Sequence, residues 1–230
     1  LVPYIRFDPG FLPGEEGSDH VRDMAETHGA RGIKLHPPGQ RIRVGDRSMW
    51  PLYQTCQDLG LPIVSHSGPA RGGEPYGEPG NFAKPLEAFP ELTIVLAHMG
   101  GQTWPQCVDI AEAYPNAYFD ICEIIEWTGG TTAPTDQQLG QLVKDVGPER
   151  VMLGTDFPWY DLDHTVERIM ELPVLSKEEK EAIAARIAGF RFSAGFGHTL
   201  NRLVRAGIGV HHAGMLPKYR RLVEKLAQDG

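Results

Sequence analysis

The chain has 230 residues, of which 41% are hydrophobic and 23% charged, and its net charge is −8. Those totals suit a soluble protein with enough material for one barrel-sized domain or two smaller ones. They exclude a membrane-spanning segment, because no apolar run approaches the required length, and LVPYIRFDPG has no signal-peptide plan. The chain opens without Met, so the expectation is that it begins inside a longer gene product. Cys56, Cys107 and Cys122 are odd in number and widely spaced, which gives neither a disulfide framework nor a CxxC zinc site. Free thiols in a reducing cytoplasm are expected. Charge is uneven: residues 1–185 carry 14 Lys/Arg against 28 Asp/Glu, whereas residues 186–230 carry 8 against 2. An acidic body argues against general nucleic-acid binding, and only the basic tail speaks for it.

In chain order, Val2–Phe7 reads as a strand closed by the turn Asp8-Pro9-Gly10. Ser18 is placed to cap a helix through Thr27, with Val21, Met24 and Ala25 on one face. Ile33–His36 forms a short strand stopped by Pro37-Pro38, and a helix runs from about Met49 to Leu59. A strand at Pro62–Ser65 precedes a Gly/Pro-dense loop over residues 68–85, long enough to suggest a lid over the His66 end. A short helix near Pro85–Phe89, the strand Thr93–Ala97 and a helix at Pro105–Ala113 follow. Ala117–Ile121 is the fifth strand, Asp136–Val146 a helix, and Val151 opens the sixth strand. Strands and helices alternate at roughly βα spacing, which predicts a parallel sheet with all strand C-termini on one face.

Three strands hand an ionisable residue to that face. LPIVSHSG ends in His66, LTIVLAHMGG in His98, and VMLGTDFP in Asp156. Two imidazoles and a carboxylate together suit zinc or another divalent first-row ion. Such an ion lowers the pKa of bound water and polarises a carbonyl or carboxylate. His36 follows a strand and is a weaker substrate-contact candidate. His20, His28 and His164 read as helix-surface residues. Lys34 sits at a strand end, where an ion pair in the barrel wall is the expected role, with a bridging ligand or substrate contact as alternatives.

The series IRFDP, GIKLHPPGQ, LGLPIVSHSG, LTIVLAHMGG, NAYFDI and RVMLGTDFPW resembles the amidohydrolase-related family, which includes aminocarboxymuconate semialdehyde decarboxylase and its hydrolase relatives. The resemblance covers residues 1–175 and implies a distorted (β/α)8 TIM barrel with a divalent metal, zinc foremost. By position His66 resembles the fifth-strand metal ligand. His98 resembles the sixth-strand histidine, a catalytic acid/base or second ligand. Asp156 is similar to the eighth-strand aspartate that binds metal and handles a proton. The family's His-x-His pair has no counterpart here, since His211-His212 are adjacent. The resemblance therefore implies an incomplete barrel, mostly parallel and lacking its first strands, with a reduced ligand set.

From residue 176 the pattern changes. GIGVHHAGMLPKYRRLVEKL, residues 207–226, resembles a segment of Ski-like superfamily-two RNA helicases, although no GxxxxGK[ST] loop or DExH-type box occurs. Residues 176–230 are thus expected to form a separate helical tail with a short strand near Ile208–Val210, packed loosely or apart from the barrel. The expected activity is that of a metal-dependent hydrolase or decarboxylase acting on a small carboxylate, amide or ester, impaired by the missing ligands. Its partner is then a small-molecule substrate, with no membrane and no nucleic acid, and oligomerisation is left open. The alternatives are a helicase-derived nucleic-acid-binding fragment and an inactive structural remnant.

Overall fold

A computed structural model describes residues 3–70 and 72–185. Six strands form one sheet in chain order: β1 (Ile5–Arg6), β2 (Ile33–Leu35), β3 (Ile63–His66), β4 (Ile94–Ala97), β5 (Ala117–Asp120) and β6 (Val151–Met152). Every pairing is parallel. The helices between them are α1 (Gly14–Glu26), α2 (Pro37–Gln40), α3 (Trp50–Asp58), α4 (Ala83–Ala88), α5 (Gln106–Ala113) and α6 (Asp136–Val146). Helices α7 (Leu162–Glu171) and α8 (Lys177–Ala185) follow β6. Among the described residues β1 and β6 each pair on one side only, so the barrel is open, as the sequence implies. None of the described helices is long and apolar enough to cross a membrane.

Burial explains the strand composition. Ile33, Leu35, Ile63, Leu96, Phe119 and Val151 are buried and belong to the one hydrophobic core cluster. Lys34, Val64, His66, Tyr118, Asp120 and Met152 alternate with them and are only partly covered. β4 is buried at all four positions, matching its unbroken apolar sequence.

Helix α6 shows how local chemistry fixes an element. Thr135 accepts the Gln138 amide N–H through its hydroxyl oxygen at 3.2 Å, and the Gln138 side-chain oxygen accepts the Thr135 N–H at 2.9 Å. This reciprocal cap sets the start that the sequence predicts. Helix α1 departs from expectation. It begins at Gly14 after Pro13, with Glu15 and Glu16 in its first turn, rather than at Ser18. Those carboxylates favour the positive end of the helix dipole, while the Ser18 hydroxyl donates back to the Gly14 carbonyl at 3.3 Å instead of capping.

The loop over residues 68–85 is built into the fold. Gly68 and Gly77 form an antiparallel bridge, and the Val44 N–H donates to the Tyr76 carbonyl at 3.2 Å. Arg43 pairs with Glu74 at 3.2 Å, and Phe82 is buried in the core.

The expected tail boundary near residue 176 falls inside a packed region. Leu175 and Ile183 both belong to the core cluster, and the Lys144 ammonium lies 3.6 Å from Glu179 on α8. The first helix after that boundary therefore completes the barrel side, because its apolar face needs the cover that α7 and β6 supply. The helicase-like segment and the strand expected near Ile208–Val210 lie outside the described residues. Ile183→Ala should destabilise the protein by about 2–5 kcal/mol in urea unfolding, the cost of a truncated core side chain. A change under about 0.5 kcal/mol, typical of surface sites, would show instead that α8 is peripheral.

Candidate active site

The strand C-termini open into a cleft of about 940 Å³ whose lining includes Lys34, His36, His66, His98, Glu123 and Asp156. Its lining also includes Arg41, Glu74, Tyr76, Gln102, Trp127 and Trp159. The parallel register does the positioning. His66 lies level with Ala97 on β4, and Ala97 is level with Asp120 on β5. His98 is thus delivered one residue beyond His66, and their ring centroids are 4.8 Å apart. The His36 ring is 4.6 Å from His66 on its other side. Three imidazoles form a row along the cleft.

Asp156 enters from the loop after β6. Its backbone is left-handed, at φ 45°, as are those of His98 at 68° and Glu123 at 63°. Non-glycine residues rarely occupy this region, and they persist there only where the surroundings hold them. Ligand atoms of His98, Glu123 and Asp156 lie within 4.8 Å of one another, a spacing that one ion can bridge. His66 stands beside this group and outside that spacing. The sequence reading had missed Glu123, although the strand AYFD followed by Glu three residues later carries the same signal as Asp156 after its strand.

The electrostatics divide the residues. Burial pushes the His66 imidazole down to about 3, and His98, His36 and Lys34 add to the effect. His66 is therefore a neutral nitrogen donor across the physiological range. Burial also lowers His98, but Asp120, Asp156 and the Cys122 carbonyl act against it, while Lys34 adds to the lowering. Its Nδ1 lies 3.2 Å from the Glu123 carboxylate, 3.2 Å from Cys122 Sγ and 3.4 Å from the Cys122 carbonyl oxygen. Burial and the neighbouring Asp156 carboxylate raise Glu123 to about 7, with Lys34 opposing. Burial and Asp120 push the Cys122 thiol well up, so it stays a neutral thiol.

Of the other sequence candidates, His36 and Lys34 line the cleft but stand outside the His98–Glu123–Asp156 group. His36 caps α2, its Nδ1 accepting the Gly39 N–H at 3.0 Å, which leaves Nε2 as the protonated atom of the neutral ring. Lys34 lines the cleft and makes no ion pair among the described residues, so the expected wall ion pair is replaced by an open cation facing the acids. His28 pairs with Asp23 at 3.7 Å on the surface. His164 is exposed on α7, as the sequence predicts, and pairs there with the buried Glu126 carboxylate at 3.1 Å.

Close packing supports the carboxylates. The Asp120 carboxylate accepts the Cys122 N–H at 2.7 Å, fixing the turn that carries Glu123. A Cβ on Gly154 would lie 2.6 Å from Asp120 Oδ2 and 2.7 Å from Oδ1. Gly154→Ala should therefore displace Asp120 and cost about 1–3 kcal/mol in urea unfolding, as overpacking does. An unchanged midpoint would contradict this close approach.

Residues 3–186 match the amidohydrolase family model. The 2-amino-3-carboxymuconate-6-semialdehyde decarboxylase of Dictyostelium discoideum is 24% identical over 173 residues, covering 63% of this chain and 48% of that protein. The chain spans about half the length of that curated relative. An uncharacterized TIM-barrel protein from Bordetella bronchiseptica has a TM-score of 0.59 and 23% identity, with coverage of 84% of this chain and 63% of that one. A 5-carboxyvanillate decarboxylase from Sphingomonas paucimobilis has a TM-score of 0.57 and 17% identity, covering 76% and 62%. A dihydroxybenzoic acid decarboxylase from a Polaromonas species, with bound manganese and 2-nitroresorcinol, has a TM-score of 0.54 and 17% identity, covering 87% and 68%. These likenesses show the TIM-barrel fold. The matched span takes in every described strand and helix, and the chain belongs to the amidohydrolase family.

Proposed function

We propose that this cleft carries out metal-assisted decarboxylation of a small, planar carboxylate. The observation that supports it is the meeting of two imidazoles and two carboxylates at one end of a parallel sheet. Decarboxylase is preferred to hydrolase because three of the four named proteins are decarboxylases. Trp127 and Trp159 add flat apolar walls suited to a conjugated ring.

The donor set fits a divalent first-row ion: carboxylate oxygens from Asp156 and Glu123 with the His98 imidazole nitrogen. Asp156 and His66 are the ligands implied by the family pattern; Glu123 is a further donor, and His66, beside the His98–Glu123–Asp156 group, would have to move towards it to share the ion. Zinc is the first expectation and manganese the second. When bound, the ion would supply Lewis-acid polarisation of the substrate's oxygen atoms. Lys34, free of an ion pair among the described residues, attracts the anionic substrate.

His98 is the proton carrier. Its Nδ1 is turned to Glu123 and Cys122, which leaves Nε2 to exchange a proton with the substrate. The carbon–carboxylate bond breaks, its electron pair stays on the substrate carbon, that carbon takes the proton, and CO2 leaves. The division of labour follows from environment: His66, deprived of its proton, offers a lone pair, whereas at His98 burial lowers the imidazole while Asp120 and Asp156 oppose that lowering. Three buried free thiols suit a reducing cytoplasm. The basic segment at residues 207–226 is read, by its resemblance, as a helicase-derived graft that adds no step here.

Calorimetric zinc and manganese titration, paired with a CO2-release assay on benzoic and hydroxybenzoic acids, tests these roles. His66→Ala and Asp156→Ala should weaken metal binding by about 10- to 100-fold or more, the range already seen for lost outer-shell support. His98→Asn should keep the metal and lose turnover. Retained metal in His66→Ala with loss in His98→Asn would exchange the two roles. Equal binding by all four proteins would contradict the site.

A further inference from the structure

Ser67 follows His66 at the end of β3, and its side chain takes no part in the chemistry above. It is buried, yet both functions of its hydroxyl are used. The O–H donates to the Ala97 carbonyl at 2.6 Å, and the oxygen accepts the Gly100 N–H at 2.9 Å. The Ser67 backbone N–H also donates to the Ala97 carbonyl, at 3.1 Å. Ala97 immediately precedes His98, and Gly100 comes two residues after it. One hydroxyl therefore clamps both ends of the turn that presents the imidazole.

That turn needs a clamp. His98 and Met99 are consecutive non-glycine residues with φ of 68° and 43°, followed by Gly100 at 78°. Each non-glycine residue in this region costs about 1–3 kcal/mol, so an unrestrained segment would relax towards the right-handed region. Relaxation at His98 swings the imidazole away from Glu123 and out of register with His66. The neighbouring residue types keep the clamp close: a Cβ on Gly68 would lie 3.1 Å from the Gly100 carbonyl oxygen. A nucleophilic role for Ser67 is excluded by the same geometry, since its proton and a lone pair are already committed on the buried side.

We infer that Ser67 is a positioning residue: its hydroxyl locks the strained His98 turn and thereby fixes the spacing of the two site histidines. Its neighbour Ser65 supplies the control. Ser65 is equally buried, but its hydroxyl donates to the His66 carbonyl at 3.1 Å and has no recorded bond to the turn.

Imidazole nitrogen NMR on the full chain tests the lock without requiring turnover, with the His98 signals identified by their loss in His98→Asn. Ser67→Ala should move and broaden the His98 ring resonances, Ser67→Cys should do so less, and Ser65→Ala should leave them in place. Thermal unfolding of each variant checks that the fold persists. The catalytic part rests on the role proposed for His98: there Ser67→Ala should lower kcat about 10- to 100-fold with KM little changed, the cost of roughly an ångström of misplacement. His98 resonances unmoved in Ser67→Ala, or moved equally in Ser65→Ala, would overturn the lock. If the wild type shows no turnover while Ser67→Ala alone shifts His98, the proposed reaction fails and the lock stands.

Discussion

The parallel pairing of six strands in chain order is the constraint on which everything else rests. A parallel sheet with sequential order leaves every strand C-terminus at one end. His66, Ala97 and Asp120 occupy one level across β3, β4 and β5. Side chains one to four positions further along can then reach the mouth. Ser67, His98, Glu123 and Asp156 are all such residues. The site is therefore a consequence of register, and a slip in one strand would remove a functional group along with its packing.

Register alone does not aim the side chains. His98, Glu123 and Asp156 each reach the cleft through a left-handed backbone, at a cost of about 1–3 kcal/mol apiece. The sum is large against the 5–15 kcal/mol of a typical domain, so the surrounding structure must supply restraint. Ser67 clamps the His98 turn, and Asp120 holds the Cys122 N–H beside Glu123. Arg168 donates to the Ile125 carbonyl at 3.4 Å and to Thr128 and Asp136 at 2.8 Å, bracing the segment after Glu123. The Trp127 indole N–H donates to the Tyr160 hydroxyl at 2.9 Å, tying that segment to the Asp156 loop. Strain at the mouth is balanced by ordinary hydrogen bonding one layer behind it.

Much of this was legible in the sequence. Apolar runs of four to six residues at βα spacing located all six strands, because burial selects the same residue types that periodicity detects. His66, His98 and Asp156 were legible as ionisable groups at strand ends. Glu123 carries the same strand-end signal but stands past the apolar Ile121-Cys122 pair, so the end of the hydrophobic run draws no notice to it. Ser18 misled because a serine before a helical stripe signals a cap, whereas Pro13 and two early glutamates had already started the helix. The boundary near residue 176 followed a change of charge and a change of family resemblance, and neither reports packing. Ile183, a single buried side chain, decides where the packed unit extends.

The central claim is that these strand ends gather one ion. Crystals soaked in manganese and measured with anomalous scattering test it most directly. The account predicts a single strong anomalous peak bounded by Asp156, Glu123 and an imidazole of His66 or His98. A peak elsewhere, or none at this cluster under saturating manganese, would contradict it.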